Sequence, residues 1–153
     1  GAGEYFLTLC TQDRQHYFGH IQKGIVFLSQ VGTIAREILL LLLKQFENAI
    51  LDECVIMPNH VHLILVINGN NTGKNLINQI PTNPNQYGIP NNPMELPRDT
   101  IGKMMRWYKG RVSYECRRAG IPFAWQSRFD DRTVRDRRAL ENIRQYIRDN
   151  PRK

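Results

Sequence analysis

The chain has 153 residues, 41% hydrophobic and 23% charged, which supplies one packed core and excludes a disordered tail. Its cysteines, Cys10, Cys54 and Cys116, are odd in number and widely spaced, which excludes a disulfide-stapled miniprotein and points to reduced thiols in the cytoplasm. With 21 Lys and Arg against 14 Asp and Glu the net charge is +7, and no apolar run approaches the roughly 18 residues of a membrane span.

The charge is uneven. Residues 1–97 hold 5 basic and 7 acidic side chains, net −2, whereas residues 98–153 hold 16 and 7, net +9. A basic half of this kind attracts polyanions, most often nucleic acid, although a solvated basic face without a partner has the same composition. The N-terminus lacks the charged-then-apolar pattern of a secretory signal.

Residues 5–11, alternating and rich in β-branched and aromatic side chains, predict a strand, and Gln12-Asp13-Arg14 a turn. His16–Ile21 and Ile25–Leu28, split by Lys23-Gly24, predict a small hairpin. Ile34, Ile38, Leu41 and Leu42 recur at helical spacing behind the N-cap candidate Ser29, predicting a helix over 30–46. Ile50–Met57 and His60–Ile67 read as two strands joined by Pro58-Asn59, and the second is apolar enough for the middle of a sheet.

Periodicity stops at residues 68–98, where nine Asn, five Pro and three Gly predict a flexible insertion within one domain spanning 1–153. A helix is expected over 99–118, capped by Asp99 and stopped by Gly120, with Ile101, Met105, Tyr108 and Val112 as its stripe. Residues 121–129 read as extended. Asp136 caps a last helix over 137–149, striped by Leu140, Ile143 and Ile147 and ended by Pro151. The order of elements suits an α+β fold: an antiparallel sheet of the split β-α-β, ferredoxin-like kind with helices packed on it.

His60 and His62 stand two apart on one predicted strand, so both imidazoles leave the same face. Two neutral nitrogen donors there could meet one cation, or could simply be hydrogen-bonded sheet histidines. Tyr146 and Asn150 are four apart, one helical turn. A phenol can act as a nucleophile and an amide oxygen as a hard ligand; an amphipathic tyrosine and an Asn C-cap are the plainer readings.

Taken together, these blocks resemble a known family. Met57-Pro58-Asn59-His60-Val61-His62 is similar to the His-hydrophobe-His block of the single-tyrosine HUH transposases, more narrowly the IS200-like family and its REP-associated tyrosine transposase branch. Residues 5–12, 52–62, Trp125–Phe129 with Asp131 and Arg135, and Tyr146–Pro151 resemble further family segments, so the likeness spans nearly the whole chain except 68–98. It implies a transposase or endonuclease that cleaves and rejoins single-stranded DNA, with hairpin ends, through a 5′-phosphotyrosine. It also implies that His60, His62 and Asn150 hold a divalent metal, Mg²⁺ or Mn²⁺, and that Tyr146 attacks. Tyr108 and Tyr114 are the rival nucleophiles. Lys103, Arg106, Lys109, Arg111, Arg128, Arg132 and Arg135 are the expected DNA contacts, with Arg117 and Arg118 closing the basic helix and Trp107, Tyr108 and Trp125 as base-stacking candidates. Of the tryptophans, Trp125 is the better fit to core packing.

A free phenol has pKa ~10, so a tyrosine nucleophile needs activation at neutral pH. The resemblance leaves open a monomer, or a homodimer in which each tyrosine meets the partner's histidines. It places the protein in a bacterial-type cytoplasm, near the nucleoid. Arg132 stands where relatives commonly carry His, and relatives usually continue beyond Pro151, so the sequence reads as a trimmed domain. Two other classes compete: a non-catalytic single-strand-binding module, disfavoured by the scarcity of aromatics on the strands, and a metal-dependent hydrolase of small molecules, disfavoured by the lack of acidic ligands.

Overall fold

A computed structural model describes residues 3–67, 96–133 and 137–152, and of 96–100, 128–133 and 152 the backbone alone. Six strands and three helices are seen among these residues: β1 (Gly3–Thr11), β2 (Gly19–Gln22), β3 (Ile25–Leu28), α1 (Gln30–Gln45), β4 (Ala49–Met57), β5 (His60–Ile67), α2 (Leu96–Arg118), β6 (Trp125–Thr133) and α3 (Arg137–Asp149). Short 3-10 turns cover Gln12–Arg14 and Asn150–Arg152.

The main sheet has the order β4-β5-β1-β6, with every neighbouring pair antiparallel. β1 and β4, joined through α1, therefore run parallel with β5 between them, which is the split β-α-β arrangement. β2 and β3 pair separately. Lys23 and Gly24 join them with φ of 53° and 76°, the left-handed pair that a two-residue hairpin turn requires.

Local chemistry sets the element ends. The Ser29 hydroxyl accepts from the Gly32 amide at 3.1 Å and donates to the Tyr17 carbonyl at 2.6 Å, so it caps α1 and ties it to the hairpin. At Gly32 a Cβ would come within 2.1 Å of the Phe18 carbonyl oxygen, so this close crossing needs glycine. Gly120, at φ +72°, ends α2, with its amide donating to Arg117 O and that of Ile121 to Cys116 O.

The alternation along the strands sorts side chains onto two faces. Leu7, Leu9, Val61, Leu63 and Leu65 are fully buried in one core with Ala35, Ile38, Leu39 and Leu42 of α1 and Ile101, Met104, Met105, Tyr108 and Val112 of α2. On the other face Ile64 joins Leu140 and Ile147 of α3, with Phe6, Val55, Ala139 and Ile143 packed around them.

Several boundaries differ from the sequence expectation. α2 begins at Leu96, not 99, so Asp99 lies inside it and the last residues of the expected insertion are helical; Pro97 is compatible with a first helical turn. Residues 68–95 of that insertion, and the cap candidate Asp136, lie outside the described residues. The hairpin starts at Gly19, three residues after His16. The last strand is Trp125–Thr133, not 121–129; Ile121 and Phe123 pack on the core instead of joining the ladder.

Candidate active site

β5 lies between β4 and β1, so each of its histidines has a neighbour on both sides. His62 stands opposite Thr8 and Val55, and His60 opposite Cys10 and Met57. The turn before His60 is fixed from β1 and from the hairpin approach. The Thr11 amide donates to Asn59 O and the Phe18 amide to Pro58 O, both at 3.0 Å. The buried Thr11 hydroxyl donates to Gln15 O at 2.7 Å.

Both imidazoles are held through the same nitrogen. His60 Nδ1 is 2.7 Å from Asn59 Oδ1, and His62 Nδ1 is 2.9 Å from Thr8 Oγ1. With the Asn59 amide oxygen as acceptor, His60 donates from Nδ1 and keeps its lone pair on Nε2. The Thr8 contact likewise leaves Nε2 of His62 for another partner, the arrangement that orients ligating histidines. Phe6 stacks on His62, with ring centroids 5.2 Å apart and planes at 23°.

The two imidazole centroids are 4.4 Å apart, and the Tyr146 ring meets His62 edge-on at 5.5 Å. All three belong to one chain, so the tyrosine of α3 reaches its own chain's histidines. Tyr146 is 43% exposed and His62 7%, so the tyrosine lies at the surface above a buried imidazole. Burial lowers the pKa of His60, aided by Arg14, and takes that of His62 down to about 4, aided by His60. Both rings are therefore neutral at pH 7, the form that binds metal.

α3 presents Tyr146 because Leu140, Ile143 and Ile147 seat it on the sheet. Asn150 follows in the 3-10 turn, which packs against β3 and β4. It is buried, and its Nδ2 has no hydrogen-bond partner. Among the described residues no group of three or more His, Cys, Asp or Glu could hold a metal.

The expected DNA contacts are distributed differently. Lys103, Arg106, Lys109 and Arg111 sit on α2, which covers the sheet face opposite the histidines. Arg106 is exposed. Lys109 donates to Gln126 O at 2.7 Å and lies over the Trp125 ring, and burial lowers its pKa. Arg111 pairs with Glu115 at 3.3 Å and lies over Tyr114. Arg128 and Arg132 belong to β6, with Arg132 in register with Phe6; Arg135 lies outside the described residues.

Tyr108 corrects two expectations. It is fully buried, its hydroxyl donates to Ala35 O at 2.8 Å, and burial pushes its phenol up. It is thus neither a stacking platform nor an accessible nucleophile. Trp125 packs among Phe18, Tyr108 and Phe123 and donates to Lys109 O, as core packing predicts. Trp107 meets Phe46 edge-on.

Sequence reasoning passes over Thr8, Asn59 and Arg14. Thr8 and Asn59 orient the rings, and Arg14 lies near enough to His60 to lower its pKa. A signal for Arg14 is present in the turn Gln12-Asp13-Arg14, where Asp13 and Arg14 take φ of 53° and 52°, a conformation costly for non-glycine residues and common at functional sites.

The sheet order β4-β5-β1-β6, with helices packed on both faces, is found in solved structures. The same fold occurs in a REP-associated tyrosine transposase bound to a REP hairpin, with a TM-score of 0.62, 17% identity, and 97% of this chain and 66% of that one covered. It also occurs in a candidate transposase from Deinococcus radiodurans, with a TM-score of 0.53, 18% identity, and 97% and 90% covered. Both likenesses concern the fold, which is the one that the resemblance of the sequence blocks implies. No family model matches the chain. An uncharacterized protein of Haemophilus influenzae is 31% identical over 151 residues, which is 97% of this chain and 80% of that protein. The chain belongs to the same family as this Haemophilus protein. No helix among the described residues is long and apolar enough to cross a membrane.

Proposed function

We propose that the protein is a transposase-type endonuclease that cleaves and rejoins single-stranded DNA, with Tyr146 as nucleophile. The observation that carries this reading is the run of ring contacts from His60 through His62 to Tyr146 within one chain.

The residues fit a divalent cation such as Mg²⁺ or Mn²⁺. His60 and His62 each have Nδ1 engaged and Nε2 left over. The buried amide of Asn150 carries an unpartnered atom, and turning the amide over puts its carbonyl oxygen there. The amide oxygen suits either cation, whereas the two imidazoles would favour the transition metal Mn²⁺ over the harder Mg²⁺, and a three-ligand set would leave positions for phosphate oxygens. Once bound, the cation would supply Lewis-acid polarisation of a phosphate oxygen.

The chain supplies the rest. The Tyr146 oxygen attacks phosphorus, its proton passing to solvent. The bond from phosphorus to the 3′ oxygen breaks, and that oxygen takes a proton from water. The product is a 5′-phosphotyrosine and a free 3′-OH. The ester bond is exchanged and not hydrolysed, so a second 3′-OH can reverse the step and join a new strand. Thr8 and Asn59 keep the imidazoles in place through the exchange. The structural relative in complex with a REP hairpin supports a folded single strand as substrate, and Arg14, close enough to His60 to lower its pKa, would offer a positive charge to a phosphate there.

The test is a labelled hairpin oligonucleotide with a single-stranded flank, incubated with Mn²⁺ and run on a denaturing gel. The wild-type chain should give a covalent adduct that EDTA abolishes, and Tyr146→Phe should bind the DNA without forming it. Adduct undiminished in Tyr146→Phe would remove this residue from the mechanism. Binding with no adduct in the wild type would favour a binding module.

A further inference from the structure

Tyr146 and two arginines occupy opposite flanks of the same helix. α3 rests on the sheet through Leu140, Ile143 and Ile147. Apolar contact is non-directional, so a helix seated on one stripe is free to roll about it. Arg144 and Arg148 lie on one side of the stripe, and Tyr146, two residues from each, is about 160° round the helix. Any roll therefore carries the phenol toward or away from His62.

On the arginine side runs β4, the edge strand of the sheet. Its register with β5 shifts between Leu51 and Glu53. In a regular strand Asp52 and Glu53 would point to opposite faces; the bulge turns both toward α3. Arg144 Nε donates to Asp52 Oδ2 at 2.7 Å and Nη2 to Asp52 Oδ1 at 3.0 Å, a two-pronged fork. Arg148 donates from Nε and Nη2 to Glu53 Oε1 at 2.9 and 2.6 Å. Glu141 joins Arg144 from within the helix. Partly exposed pairs of this kind add little to stability, but their directionality fixes an angle that the apolar stripe leaves loose.

We infer that Asp52 and Glu53 are positioning residues for Tyr146: through Arg144 and Arg148 they set the roll of α3 and hence the seat of the phenol against His62. The effect on chemistry rests on the function proposed above; the effect on ring geometry does not.

Two variants of the whole chain test it, Asp52→Ala with Glu53→Ala, and the charge swap Glu53→Arg with Arg148→Glu. Three quantities are read: the NMR contact between the His62 and Tyr146 rings, the affinity for the hairpin oligonucleotide, and the single-turnover rate of adduct formation with Mn²⁺. In the double alanine variant the ring contact should weaken and adduct formation slow by about 10- to 100-fold, the cost of a small misplacement. Affinity should stay within about twofold, as expected when only the transition state is affected. The swap should restore both contact and rate. An unchanged ring contact with a wild-type rate would overturn the inference. If the wild type forms no adduct, the proposed function fails and the ring contact alone decides: its loss in the alanine variant supports the positioning role, and its persistence refutes it.

Discussion

On one face of the sheet Leu7, Leu9, Val61, Leu63 and Leu65 are sealed under α1 and α2. The residues that alternate with them, Phe6, Thr8, His60, His62 and Ile64, face the 13 residues of α3. The same two strands thus supply a dry core with one set of side chains and a polar, partly open site with the other. The period of two makes this possible, because a strand can be optimised for packing on one face without constraining the chemistry on the next.

The largest expected effect breaks the α3 face alone. His60→Ala with His62→Ala should lower adduct formation by about a hundredfold or more, with a cooperative urea transition at pH 7 showing that the chain still folds. Adduct at the wild-type level would remove the histidines from the chemistry. Leu63→Ala breaks the other face. Its side chain is fully buried, so unfolding measurements should show a loss of about 2–5 kcal/mol, with the adduct rate per folded molecule unchanged; a loss confined to activity would mean the faces are not separable.

A pH titration sharpens the contrast. Burial holds the folded-state pKa of His62 near 4, below the ordinary 6.5. A depressed histidine contributes stability that is full above pH 6.5 and is lost as pH falls toward 4, by up to about 3 kcal/mol. Urea midpoints across that window should fall in the wild type and flatten in His62→Gln; equal slopes would contradict the assignment. The smallest effect concerns the outer surface of α2. If Arg106 meets a phosphate, Arg106→Ala should reduce the slope of log affinity against log salt by about 0.7, and an unaltered slope would take α2 off the DNA path.

Much of this is legible in the sequence. The Pro58-Asn59 turn, the shared face of His60 and His62 and the Ser29 cap follow from local rules, and the fold has each where those rules put it. The partners of the histidines are not legible: Thr8 lies 54 residues from His62 in sequence, and local pattern carries no record of such a contact. The bulge at Leu51/Glu53 is hidden for the same reason, since two adjacent carboxylates read as alternating. The apolar stripe of α2 shows which of its sides is buried but not which face of the sheet it covers. That face follows only once the strand order is known: the right-handed rule for crossovers then places α1 and α2 together, with the basic helix opposite the histidines. Tyr108 has the helical spacing of a core residue and the ring of a stacking platform; its bond to Ala35 decides between the two.

Tyr146 meets the His62 ring of its own chain, so the proposed chemistry should need no second subunit. Mixing Tyr146→Phe chains with chains carrying His60→Ala and His62→Ala tests it, each labelled to differ in size on a denaturing gel. The prediction is that neither chain acquires DNA, alone or mixed. Adduct appearing in the mixture on the histidine-deficient chain would show that the tyrosine of one subunit serves the histidines of another, and would contradict it.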